Sequence, residues 1–203
     1  LYYMKYKDQL VPMGRINDGY DALNDNVDDS YRRGVELSAS WKVTGWFTAS
    51  ANATFSQNRI ENYVDALKDS PTYGKELGDM TIAYSPDVIA NAFLNFHHRG
   101  FEAVFHTQHV GKQYFTNNEN DALSLDAYCV TNLNLAYTFR TRSARSVRLG
   151  LLINNLFNAE YESNGYGYSY MDTWSGPAPV RIDEAYYFPQ APLNVLANVT
   201  VKF

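Results

Sequence analysis

Apolar and polar residues alternate along most of this chain, and this period of two limits the fold more than any other feature of the sequence. In the final stretch, LNVLANVTVKF (193–203), aliphatic residues take one side of an extended chain and polar residues the other: Val195, Ala197, Val199, Val201 against Asn194, Asn198, Thr200, Lys202. Successive side chains of a β-strand point to opposite faces, so the alternation predicts strands rather than helices. The pattern recurs in residues 34–41, 47–56, 88–96, 101–110, 131–139 and 147–154. With the opening segment, we expect about eight strands.

The connections between these segments alternate in length. Short turns are expected near residues 42–45, 98–100 and 140–145, and longer polar links near 13–28, 61–79, 116–124 and 162–185. Transmembrane β-barrels have this asymmetry, because their periplasmic turns are short and their extracellular loops are long. We therefore predict an all-β fold, an antiparallel transmembrane β-barrel, with its C-terminus on the periplasmic side.

The polar face of the strands favours the same fold. An unsatisfied polar group in a dry core costs about 1–3 kcal/mol, whereas a water-filled or plugged lumen keeps such groups solvated. We expect these residues to face that lumen: Glu36, Asn52, Glu102, Asn134 and Arg148. Aromatic residues near strand ends, Phe115 among them, are expected in two interfacial girdles. A soluble β-sandwich with aromatic corners stays open as the alternative.

Composition and charge exclude several classes of protein. The chain has no apolar run close to the roughly 18 residues that a spanning helix needs. The formal net charge is −5 and Lys and Arg are scattered, so we expect no nucleic-acid partner. The single cysteine, Cys129, has no second cysteine for a disulfide or a metal pair. Because the chain begins as if in mid-strand, with no secretion signal, we interpret it as a segment of a longer protein.

Several stretches resemble the barrel strands of TonB-dependent outer-membrane receptors, in the style of the siderophore and cobalamin group from Bacteroidetes. They include SYRRGVELSASWK, LDAYCVTNLNLAY and INNLFNAEYESNGYGYSY. The most specific piece is NNLFNAEY (154–161), followed later by an alternating terminal strand that ends in Phe203. The resemblance extends over essentially the whole chain.

This resemblance implies that residues 1–203 are the C-terminal part of a plugged barrel, about the last eight of about 22 strands. The signal peptide, TonB box and plug of the family are absent from this segment. Phe203, with Val201 and Val199 behind it, matches the signal read by the outer-membrane barrel assembly machinery. The implied partners are that machinery, the TonB complex, the lipid bilayer and an extracellular micronutrient. The implied location is the outer membrane of a Gram-negative bacterium.

The stretch NGYGYSYMDTW (164–174) is the most suggestive one for ligand binding. Rings alternate with small residues there, so a long extracellular extension could present Tyr166, Tyr168, Tyr170 and Trp174 to a large, flat or aromatic ligand. Arg181 could add charge for an anionic iron chelate. A rigid β-extension whose tyrosines pack on each other is the alternative.

We expect no catalytic site, no metal site and no cofactor. His106 and His109 are three residues apart on one predicted strand, which places them on opposite faces. No nucleophile lies in a recognisable elbow. An acidic run lacks the spacing of a calcium-binding loop: Asp18, Asp21, Asp25, Asp28 and Asp29.

The expected function is a part in TonB-dependent uptake of an iron-siderophore, cobalamin or a similar bulky micronutrient. Two alternatives stay open. One is a glycan-importing receptor of the same superfamily, which works with a surface lipoprotein. The other is a self-contained eight-stranded outer-membrane barrel with a structural or adhesive role, because eight strands can close on themselves.

Overall fold

A computed structural model describes residues 1–16 and 22–203, which are mostly extended. The strands are β1 (Tyr2–Ile16), β2 (Ala22–Lys42), β3 (Phe47–Ile60), β4 (Met80–Thr81), β5 (Val88–His98), β6 (Phe101–Val110), β7 (Gln113–Tyr114), β8 (Ser124–Leu125), β9 (Tyr128–Phe139), β10 (Ser146–Asn154), β11 (Glu162–Asp172), β12 (Val180–Pro189) and β13 (Asn194–Lys202). One 3₁₀ turn spans Asp121–Leu123. Within the described ranges, no helix has the length and apolar character needed to cross a membrane.

Eight long strands form one antiparallel sheet in the order β1-β2-β3-β5-β6-β9-β10-β13, with β4 added beside β3. The prediction of about eight antiparallel strands is therefore confirmed. The outermost strands, β1 and β13, are the two edges of this sheet. Two smaller sheets, β11-β12 and β7-β8, stand apart from it.

Three short turns lie at the same end of the main sheet, which we call the short-turn end. They connect β2 to β3, β5 to β6 and β9 to β10. The C-terminus lies at the same end, because Lys202 pairs with Ser146. The β5–β6 turn has two residues, Arg99 and Gly100, both with positive φ (47° and 85°), as the tight hairpin turns require. A Cβ at Gly100 would lie 2.3 Å from the carbonyl oxygen of Thr138, so only glycine fits there.

Two of the predicted long loops are wrong, because strands continue through them. Most of 13–28 belongs to β1 and β2, which pair as far as Ile16 and Ala22, and most of 162–185 belongs to β11 and β12. The clean alternation fades in these stretches, where polar residues occur on both faces of the strands. Asp18 and Asp21 of the acidic run lie outside the described residues.

The sheet has one apolar face and one polar face. Large side chains on the apolar face are strongly exposed in this chain; they include Leu37, Trp41, Phe55, Leu94, Phe101, Tyr137, Leu149 and Val199. Directly paired residues share a face, so the register carries this face from β2 to β13 without a break. A contiguous exposed apolar surface of this kind marks contact with a membrane or a partner.

The buried cores lie at the end of the main sheet opposite the short turns, which we call the long-connection end. One cluster contains Val11, Ile60, Tyr63 and Ile82, and the other contains Phe115, Leu123 and Leu125. The expectation that Phe115 belongs to an interfacial girdle is wrong, because this ring is 1% exposed. The Phe115 ring instead supports the β11–β12 hairpin, which packs on it.

Candidate functional site

The five residues expected in the lumen all lie on the polar face of the sheet. The register links them through direct pairs: Ser38 with Asn52, Asn52 with Asn91, Val104 with Asn134, and Thr138 with Arg148. Glu36 is two residues from Ser38 and Glu102 is two residues from Val104, so both share this face. The alternation of the sequence therefore places Glu36, Asn52, Glu102, Asn134 and Arg148 together.

Hydrogen bonds connect the polar side chains across neighbouring strands. Arg148 Nη1 and Nη2 donate to the two carboxylate oxygens of Glu102 at 2.8 and 2.7 Å, reaching across β9. Asn91 Nδ2 donates to Asn52 at 3.1 Å, and the His106 ring contacts Asn91 at 3.0 Å. The Arg148 and Glu102 side chains are also 41% and 44% exposed, so water can reach this face.

The histidines are divided between the two faces. His106 pairs with Asn132 on the polar face, and His109 pairs with Cys129 on the opposite face. Among the residues that the structure describes, no group of three or more His, Cys, Asp or Glu side chains could hold a metal ion.

The hairpin of β11 and β12 carries most of the residues expected to bind ligand. Tyr166 pairs with Tyr186 and Tyr168 pairs with Glu184, so these side chains share a face. The rings of Tyr166 and Tyr186 stack with their centroids 5.0 Å apart, and those of Tyr168 and Tyr170 are tilted with their centroids 6.4 Å apart. We call this surface the tyrosine ledge: Tyr166, Tyr168, Tyr170, Glu184, Tyr186 and Phe188. The alternative of a β-extension with packed tyrosines is what the structure has, yet Tyr166 and Tyr186 remain about half exposed.

Glu184 is the centre of the ledge. Its carboxylate accepts hydrogen bonds from the hydroxyls of Tyr168 at 2.6 Å, Tyr186 at 2.9 Å and Tyr170 at 3.2 Å. The bonds from Tyr168 and then Tyr186 hold the pKa of Glu184 below its ordinary value, and the bond to Glu184 raises the pKa of Tyr168. Each hydroxyl has one hydrogen, which is already donated. The ledge therefore presents only acceptor oxygens and ring faces.

The opposite face of the hairpin packs on the buried cluster of Phe115 and Leu123. A Cβ at Gly165 would meet the Phe115 ring at 2.7 Å, and one at Gly167 would meet Phe115 and Leu123 at 2.9 Å. The absence of side chains at these two positions lets the ring lie against the β11 backbone. Gly165 and Gly167, which alternate with Tyr166 and Tyr168 in the sequence, thus face the cluster while the tyrosines face away from it.

Arg181 and Trp174 are not part of the ledge. Arg181 pairs with Met171, which places it on the packed face, and it donates to Asp183 at 2.9 Å and to Ser169 at 3.0 Å. Trp174 lies in the connection between β11 and β12 and is 90% exposed. The structure therefore joins three of the five predicted ligand contacts and separates the other two. Sequence reasoning missed Glu184, Tyr186 and Phe188, although the alternation in DEAYYF (183–188) was a signal for them.

A groove of about 330 Å³ runs beside the ledge. Its lining comes from β1, the start of β2, the β4–β5 link, the β7–β8 link and β11–β12: Pro12, Gly14, Arg15, Leu23, Tyr84, Phe115, Tyr166, Gly167, Tyr168 and Tyr186. Within the described residues, the buried Nε of Arg15 has no hydrogen-bond partner. The groove is thus lined by ring faces and by the side chain of Arg15.

The residues of the expected assembly signal lie on the edge strand β13. Val199 pairs with Leu149 and Val201 with Val147, so both valines belong to the apolar face. Phe203 follows the last strand residue and is 93% exposed. An open edge with exposed apolar side chains is available to another strand or protein.

Comparison with known proteins shows which proteins share this architecture. A family model described as TonB-dependent receptor-like, beta-barrel, matches residues 1–156. The structure is similar to the ferric yersiniabactin uptake receptor FyuA from Yersinia pestis, with a TM-score of 0.64 and 18% identity over 99% of this chain and 26% of that one. It is also similar to the ferric-catecholate import receptor Fiu from K12 E. coli, with a TM-score of 0.61 and 16% identity over 97% of this chain and 24% of that one. The ferric preacinetobactin receptor BauA from Acinetobacter baumannii gives a TM-score of 0.63 and 13% identity over 99% of this chain and 26% of that one. At these identities the likeness establishes the fold, and comparison with curated proteins found no match.

Proposed function

The chain belongs to the family of TonB-dependent receptor-like β-barrels, and from this premise we propose that residues 1–203 form the C-terminal part of an outer-membrane receptor that imports a bulky micronutrient. The observation that carries the proposal is the pair of faces on the main sheet. One face is apolar and exposed, as contact with lipid requires, and the other is polar, as a lumen requires.

The sheet supports membership of a larger barrel. β1 and β13 are its edges, and unpaired backbone groups at an edge are not tolerated inside a bilayer. The chain spans about a quarter of each receptor described above: 26%, 24% and 26%. We propose that further strands of the same receptor pair with both edges. The open sheet does not favour the alternative of eight strands that close on themselves.

The proposed ligand is an iron chelate or a similar bulky micronutrient. The similar proteins FyuA, Fiu and BauA are receptors for ferric yersiniabactin, a ferric catecholate and ferric preacinetobactin, respectively. In this chain the tyrosine ledge offers aromatic surface for such a ligand at the long-connection end. We propose that this end is extracellular, that the TonB complex supplies energy through a plug, and that the barrel assembly machinery reads Phe203.

The chemistry of the ledge supports a ligand that brings its own hydrogen-bond donors or a positive charge. The three hydroxyl hydrogens are used on Glu184, and ring faces attract cations. Arg181, which the sequence suggested as the partner of an anionic chelate, is bound to Asp183 on the other face. A strongly anionic chelate would meet an anionic carboxylate on this surface.

The proposal is tested in cells that carry the full-length receptor. Deletion of its gene is expected to abolish accumulation of one labelled ferric chelate or of cobalamin, and dissipation of the proton gradient is expected to do the same in the wild type. Plasmid-borne receptor should restore accumulation. The matched variants are Tyr168→Ala on the ledge and Tyr73→Ala, an exposed ring in the β3–β4 link. If cells without the gene still accumulate every chelate and cobalamin, the transport function is refuted. If the two tyrosine variants transport equally, only the ledge is removed from the binding site.

A further inference from the structure

Four arginines meet at the short-turn end of the sheet, although basic residues look scattered along the sequence. Arg99 lies in the β5–β6 turn, and Arg140, Arg142 and Arg145 lie in or beside the β9–β10 turn. β6 pairs with β9, so the two turns are neighbours. A backbone hydrogen bond of 2.8 Å from Thr138, two residues before Arg140, to the carbonyl oxygen of Gly100 joins the β5–β6 turn to the end of β9. We call this set the arginine rim: Arg99, Arg140, Arg142 and Arg145.

The guanidinium groups of the rim are available to a ligand. All four residues are exposed, and none forms an ion pair with a residue in the described part of the chain. The β9–β10 turn is held by its other residues, since Ala144 donates from its backbone to Thr141 Oγ1 at 3.0 Å. The turn thus keeps its shape without using the arginine side chains.

Acidic neighbours are scarce at this end. Segments 42–47, 96–102 and 138–148 contain one carboxylate, Glu102, in a chain with 22 acidic residues. Glu102 is already bound by both terminal nitrogens of Arg148. The rim is therefore a concentrated positive patch on a chain whose formal net charge is −5, and it is complementary to an anionic surface.

Aromatic residues lie directly above the rim on the apolar face. Phe101 pairs with Tyr137, and both rings are close to half exposed. Phe101 is two residues from Arg99, and Tyr137 is three residues from Arg140. These separations correspond to about 7–10 Å along a strand. Aromatic rings of membrane proteins lie at headgroup level, so cations just beyond them lie beside lipid phosphates. Guanidinium groups bind phosphate oxygens with paired hydrogen bonds.

We propose that the arginine rim binds anionic phospholipid headgroups of the leaflet that faces the short turns. This proposal rests on the proposed function, because it needs the apolar face to lie in a bilayer. It adds a lipid-binding site at the end of the barrel opposite the tyrosine ledge. The site anchors the β5–β6 and β9–β10 turns to the leaflet surface.

The test uses the full-length receptor purified from outer membranes, with bound lipids counted by native mass spectrometry. The probes are phosphatidylglycerol, which is anionic, and phosphatidylethanolamine, which is zwitterionic. The double variant Arg140→Gln/Arg142→Gln removes two rim charges, and Lys68→Gln/Lys75→Gln removes two exposed charges from the β3–β4 link. The wild type and the control are expected to prefer phosphatidylglycerol. The rim variant is expected to lose about fivefold of that preference for each arginine removed.

Three outcomes would overturn the site. Equal retention of both lipids by the wild type, or an unchanged preference in the rim variant, removes the lipid site. Displacement of the lipid by soluble glycerol phosphate at matched concentration shows that the rim reads free phosphate instead. The gel mobility of unheated receptor reports folding of each variant. If uptake persists but the lipid preference is absent, only the lipid site at the arginine rim is contradicted. If the receptor is missing from the outer membrane, the proposed function on which the lipid site rests is contradicted.

Discussion

The hydroxyl of Tyr168 donates a hydrogen bond of 2.6 Å to Glu184, directly across the β11–β12 pair. Tyr170 and Tyr186 donate to the same carboxylate. One acidic side chain thus orders three rings and uses their only hydroxyl hydrogens. The arrangement of the three rings and the absence of a free hydroxyl hydrogen among them have this common origin.

We expect Glu184→Gln to lower the pKa of Tyr168 towards its ordinary value, because the bond to the carboxylate is the main cause of the raised pKa. A raised pKa stabilises the folded hairpin below the unfolded tyrosine pKa, and this stability is lost as pH rises through the folded value. Ultraviolet absorbance of tyrosinate during an alkaline titration of the full receptor measures the shift. The control is Glu76→Gln, whose side chain lies in the β3–β4 link; a titration unchanged by Glu184→Gln would contradict the carboxylate's role.

Glu184 also predicts an effect of acid. Hydrogen bonds from the tyrosines lower its pKa, so its contribution is present above the ordinary glutamate pKa and is lost as pH falls through the lower, folded value. Hydrogen exchange of the β11–β12 amides should therefore accelerate under acid more in the wild type than in Glu184→Gln. The same acceleration in both proteins would show that the carboxylate does not order the ledge.

Gly167→Ala is expected to displace or loosen the hairpin. The new Cβ would lie 2.9 Å from Phe115 and Leu123, and overpacking of this kind costs about 1–3 kcal/mol. Gly176→Ala is the matched control, because the nearest atom there is 4.0 Å away. Faster hydrogen exchange in β11 and β12, with unchanged exchange in β9 and β10, is the expected result. Equal exchange in the two alanine variants would show that Phe115 does not support the hairpin.

A charge introduced on the apolar face of β10 should destabilise the receptor far more than one introduced on its polar face. Leu149 belongs to the apolar face and Leu152, which pairs with Asn134, to the polar face. Leu149→Arg is expected to destabilise the folded receptor by about 2–4 kcal/mol if it lies near the midplane, and Leu152→Arg much less. Denaturant unfolding of the full receptor in lipid vesicles measures both. A larger loss for Leu152→Arg would reverse the assignment of the faces.

Phe203→Ala is expected to reduce the amount of receptor in the outer membrane without reducing the stability of receptor that has folded. Phe203 is 93% exposed in this chain, so its removal creates no cavity. Phe157→Ala is the control, since that ring is also exposed, at 75%, but lies outside the strands. Immunoblots of membrane fractions give the amount, and refolding in detergent gives the stability. Equal amounts of both variants in the membrane would rule out a role in assembly.

The period of two determined, from sequence alone, the strand count of the main sheet, the membership of its two faces and the short-turn end. Each of these depends on positions close together in the chain, where alternation and turn residues act directly on the backbone. Tyr166, Tyr168 and Tyr170 were recognisable in the same way, because they are spaced by two within one strand.

Only the tertiary structure decided which groups meet across strands. Residues 181 and 184 lie on opposite faces of β12 by alternation alone, but the register of β11 with β12 decides that Glu184, and not Arg181, shares the face of the tyrosines. That orientation depends on Phe115 packing against Gly165 and Gly167, a contact between distant parts of the chain. The arginine rim likewise needs the pairing of β6 with β9. Such contacts are set by packing and register, which local alternation does not encode.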